Sequence, residues 1–173
     1  MLVFLQELFG HKRNVRDTTD AELKAIMVPL GNLIVDFNEK TNVSWLVILP
    51  TVQKIAAQLL VSARGLESAR IFYAAGQNDI YSTQTVPTGA VLGVSPLSVS
   101  PDQIAELNAR LWAFANGTIA KGVPVEHVAQ AFGIIVVVVS EKVVDRSYTT
   151  FLLRAQFEEL MSDDFHSSSG QNQ

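Results

Sequence analysis

Three histidines, two pairs of adjacent carboxylates and a scatter of hydroxyls are the side chains here that could do chemistry, and their spacing fits no reactive arrangement. A metal site needs two or three imidazoles or carboxylates converging at turn or helical spacing. His11, His127 and His166 lie far apart, and none has a second histidine within one helical turn. His127, beside Glu126 and Gln130, reads as a solvated residue on the polar side of its helix, and His11 beside Lys12 as a helix-end cation. Glu158-Glu159 and Asp163-Asp164 are sequence neighbours, which on a helix point about 100° apart and make no shared acid–base site. A hydroxyl nucleophile needs a neighbouring base, and no glycine-serine-glycine elbow is present. Gly89-Ala90-Val91-Leu92-Gly93 lacks the Lys and Ser/Thr pair of a phosphate loop. With no cysteine, thiolate chemistry, disulfides and sulfur-ligated metals are excluded. The chain therefore reads as a non-enzyme with no cofactor.

Charge excludes a further class. The net charge is −4 and the isoelectric point about 5.3, whereas phosphate-backbone binders carry a surplus of Lys and Arg on one face. Residues 117–133 have the outline of a helix-turn-helix. The segment that follows, Ile134-Ile135-Val136-Val137-Val138-Val139, has no side chain to donate to a base edge, so no nucleic acid is expected.

The elements that position these residues are helices. Leu2, Leu5, Leu8 and Phe9 fall at helical spacing ahead of Gly10. Thr19 and Glu22 form a capping box before Leu23, Ile26, Met27, Leu30, Leu33, Ile34 and Phe37, which predicts a helix to about Lys40 with a kink where Pro29 interrupts it. Ser44 caps a third helix ending at Gly65, with Pro50 at a kink or in its first turn, and a shorter helix over 66–75 stops at Gly76. Ser100-Pro101-Asp102-Gln103 is the strongest start signal in the chain and opens a helix to about Lys121. Pro124 begins the next, in which 134–139 reads as helix with a buried strand as the rival, and Asp145 or Ser147 opens a last helix through Met161. Residues 77–99 carry Ser, Thr, Gly and Pro without helical period and read as a long irregular loop, or as a short hairpin at 80–94 around Pro87-Thr88-Gly89.

The expected fold is all-α, a single domain of six to seven bundled helices over 1–165 with a polar tail at 166–173; the alternative is α+β with the hairpin. Only 17% of residues are charged, against about a quarter in average domains, while 48% are hydrophobic. Ser, Thr, Asn and Gln, 41 in all, make up part of the deficit. The remaining apolar surplus points to a non-catalytic interaction module that forms a homo-oligomer or docks a protein partner through apolar helix faces. The expected interaction residues are Leu2, Phe4, Leu5, Phe9, Val137, Val138, Val143 and Val144. One alternative is a small-ligand-binding domain in which 77–99 forms a lid and Asn78, Asp79 and Tyr81 make polar contacts. Another is membrane-surface attachment through the N-terminal amphipathic helix. Without a charged n-region or an apolar run near ~20 residues, a cytoplasmic, soluble protein is expected.

Overall fold

The computed structural model describes residues 19–81, 99–144 and 146–162, and among them the chain is all-α, with six helices and no strand. In chain order these are α1 (Asp20–Thr41), α2 (Trp45–Arg64), α3 (Leu66–Tyr81), α4 (Pro101–Ala120), α5 (Val125–Val143) and α6 (Arg146–Met161).

The starts follow local chemistry. Thr19 Oγ1 accepts from the Glu22 amide at 3.2 Å while Glu22 Oε2 accepts from the Thr19 amide at 2.8 Å, so two orphan donors of α1 are satisfied reciprocally. Ser100 and Gln103 repeat this device at α4, with Pro101 in the first turn. Asn42 ends α1 in the left-handed region at φ 54°, where its short side chain makes that conformation tolerable. The chain then re-enters a helix at Ser44, whose hydroxyl accepts from the Leu46 amide.

Helices α2 and α5 form the centre and pack mainly on each other; α3 and α6 pair along one side, and α1 and α4 cover the other. Phe37, Ile48, Leu49, Val52, Leu107, Leu111, Val128 and Phe132 are fully buried between them. Truncating one of the phenylalanines costs about 3–5 kcal/mol. Among the described residues α2 alone is long and apolar enough to cross a membrane, and nine of its twenty residues are buried inside the bundle.

The strand alternative for 134–139 is overturned. These residues are helical in α5, with Ile135 and Val136 buried and Val138 exposed, because several neighbouring helices give a β-branched run apolar surroundings without a sheet. The 66–75 helix is corrected too: α3 continues through Gly76 to Tyr81. A mid-helix glycine costs only about 1 kcal/mol, which packing on α6 outweighs. Asn78, Asp79 and Tyr81 thus stand on a helix and not in an irregular loop. Ile80 and Tyr81, the first residues of the expected 80–94 hairpin, are helical, and 82–94 lies outside the described residues.

Pro50 sits inside α2, at its sixth residue. Proline has no amide hydrogen to offer the carbonyl four residues back, so the Leu46 carbonyl loses its helical donor. Tyr148 of α6 supplies a replacement, its hydroxyl donating to the Leu46 oxygen at 3.2 Å. Pro29 creates the same vacancy at the Ala25 carbonyl of α1.

Candidate functional site

Two surfaces stand out, a cleft where α1 meets the α4–α5 turn and the outward face of α6. The cleft has a volume of about 420 Å³ and is walled by Ala25, Ile26, Pro29, Phe114 and Val123. Glu22, Thr118, Lys121 and His127 provide its polar groups. Gly122 makes the turn beneath it at φ 90°, a conformation that favours glycine.

The expectation that His127 and Gln130 lie on a solvated side of their helix is corrected here. His127 is 9% exposed and Gln130 8%, because the helices packed around α5, with α1 beside His127, cover the side that the sequence marks as polar. Among the described residues no side chain or backbone group hydrogen-bonds the His127 ring, which borders the cleft beside the helix that carries the Ala25 carbonyl. Thr118 is already engaged, its hydroxyl donating to the Phe114 carbonyl at 2.8 Å, and Glu22 serves the α1 cap. No group of three or more His, Asp or Glu side chains that could hold a metal occurs among the described residues.

The outward face of α6 arises from a division of that helix by period. Tyr148, Thr149, Thr150, Leu152, Gln156 and Leu160 are buried, while Phe151, Arg154, Ala155, Glu158 and Met161 are exposed at spacings of three and one. Phe151 is 60% exposed and Met161 51%. The Phe151 ring stacks on Tyr148 at 6.0 Å between centroids, and the Tyr148 hydroxyl is itself anchored on Leu46. Burial pushes the Tyr148 phenol up to about 12, so it remains a neutral donor at neutral pH. Between the two apolar ends Arg154 Nε meets Glu158 Oε1 at 2.9 Å.

Behind this face α6 is fixed by polar contacts. Ser140 and Thr149, both buried, share a hydrogen bond of 2.5 Å across the α5–α6 junction. Arg70 of α3 donates to the Leu160 carbonyl at 2.9 Å and satisfies the end of α6. Tyr73 accepts from Gln53 Nε2 at 2.6 Å, and burial, with the nearby negative charge of Glu159 as a lesser cause, raises its pKa well above the ordinary phenol value.

Of the interaction residues expected from sequence, Val138 and Val143 are exposed at 38% and 43%, while Val137 and Val144 are half-buried, with Val144 packed against the core. Leu2, Phe4, Leu5 and Phe9 lie outside the described residues, as do His11, His166 and the 166–173 tail. The α6 face was missed, although its signal was present: Phe151 and Met161 sit off the stripe of Leu152, Gln156 and Leu160. Comparison with known proteins finds no matching family model, no matching curated protein and no matching solved structure.

Proposed function

We propose that this chain is a non-catalytic helical interaction module that associates with copies of itself through an exposed apolar helix face. The observation that carries this reading is the outward stripe of α6, where Phe151 is held at 60% exposure by its stack on a fixed tyrosine. A single exposed apolar residue is ordinary on a monomer. An aromatic ring pinned in the open at one end of a stripe, with an exposed methionine at the other, suits an anchor that enters a contact at little entropic cost. Absolute mass by light scattering across a concentration series tests the reading. Growth from 18.9 kDa toward twice that value supports it, and 18.9 kDa at every concentration overturns it.

The His127 cleft favours a second reading, small-ligand binding. An imidazole nine-tenths buried in the wall of a cleft that Ala25 and Pro29 also line, with no hydrogen bond to it among the described residues, suits a compact molecule with an apolar body and a donating head such as an amide or amine. A thermal-shift series with small apolar amides and amines tests it: stabilisation lost in His127→Leu supports the reading, and identical shifts in both proteins count against it.

A further inference from the structure

The stripe on α6 is self-complementary in one register. Residues related by a two-fold axis across an antiparallel helix pair have numbers with a constant sum, and Phe151 with Met161 and Arg154 with Glu158 share the same sum, centred on residue 156. We infer that a second copy of this chain docks on α6 in antiparallel orientation, Phe151 of each protomer against Met161 of the other and Arg154 of each against Glu158 of the other. This rests on the self-association reading and specifies its surface and register.

The charges are what commit the face to a second copy. Arg154 and Glu158 already pair within one helix, and both are well exposed, with side chains at 62% and 63%. In the antiparallel register each cation faces the partner's carboxylate, so the two intrahelical pairs become one alternating four-charge cluster flanked by Phe and Met. In a parallel register Arg154 would face Arg154 and Glu158 would face Glu158, and repulsion would oppose the contact. Ala155 lies next to the axis, and its methyl group lets the helices approach to the 8–10 Å usual for packed pairs.

Size sets the strength. Ten steps of 1.5 Å rise from Phe151 to Met161 give a stripe about 15 Å long, which is short for the roughly 800 Å² that each partner of a stable complex buries. The dimer is therefore expected to be weak and strongly concentration-dependent.

The test uses charge reversal on the full chain. Arg154→Glu alone sets four carboxylates together at the axis, and Glu158→Arg alone sets four guanidinium groups there, so each variant by itself should self-associate about tenfold or more weakly than wild type. Mixed one to one, the two variants restore both cross-pairs, and the mixture should associate about as tightly as wild type. Neither member of that mixture regains its intrahelical pair, so recovery reports the contact between chains. Circular dichroism of each variant checks that the fold is intact, and Phe151→Glu, which leaves those charges alone, should abolish association. A wild type that dimerises while the mixture stays monomeric overturns the register and leaves self-association through another face. A wild type monomeric at all concentrations overturns both.

Discussion

Gly31 lies in the middle of α1 and faces α5, and replacing it with alanine measures how closely those helices approach. Two terms compete. Alanine in a helix interior is favoured over glycine by roughly 0.5–1 kcal/mol, because glycine loses more backbone freedom on folding. Against this, a Cβ at position 31 would meet Ile135 Cδ1 at 3.4 Å, its nearest neighbour outside the helix's own backbone. That distance is at the inner edge of ordinary van der Waals contact, and the atom is the far end of an adaptable side chain, so the repulsion amounts to a few tenths of a kcal/mol. Propensity wins, and Gly31→Ala should stabilise the domain by about 0.3–0.8 kcal/mol, a rise of roughly 1–3 °C in Tm for a chain of this size. Gly117→Ala in α4 is the reference, since a Cβ there meets nothing within 4 Å and reports propensity alone. Urea unfolding followed by circular dichroism gives both values. Gly31→Ala should fall slightly below Gly117→Ala, and Gly31→Val well below it, because a branched side chain must displace Ile135. A Gly31→Ala protein less stable than wild type would refute the reasoning and show that α1 and α5 require glycine's absent side chain.

The other expectations concern buried polar groups. Thr149→Val should cost about 1 kcal/mol in urea unfolding by removing one partner of the buried Ser140 hydroxyl, which keeps the Val137 carbonyl as its acceptor, and Ser140→Ala with Thr149→Val should cost less than the two singles summed, since both singles delete the same hydrogen bond. At alkaline pH stability should fall. Tyr73 and Tyr148 have folded-state pKa values raised above the unfolded value near 10, so their contribution is complete below pH 10 and lost as pH climbs toward the folded values, about 12 for Tyr148. Unfolding curves from pH 8 to 12 check this, and Tyr73→Phe should flatten the decline while lowering stability at neutral pH by leaving Gln53 Nε2 without its acceptor.

The sequence by itself determined where most helices begin and which faces turn inward. Thr19 with Glu22, and Ser100 with Pro101 and Gln103, are local devices whose partners lie three residues away, so their geometry needs no knowledge of the rest of the chain. The apolar stripes of α1 and α4 were legible for a similar reason, because the helical period converts spacing into a face. What only the tertiary structure decided is which polar residues are covered and which apolar ones are left open. His127 and Gln130 look solvated on their own helix and are buried because neighbouring helices pack over them. Pro50 looks like a helix defect and is accommodated because Tyr148, about a hundred residues away, offers its hydroxyl to the stranded Leu46 carbonyl. Phe151 looks like any aromatic in a helix, and its exposure follows from α6 turning its opposite face to α3. Capping and periodicity act within a turn of chain, whereas burial depends on neighbours brought together from distant sequence, and burial decides what this protein presents to a partner.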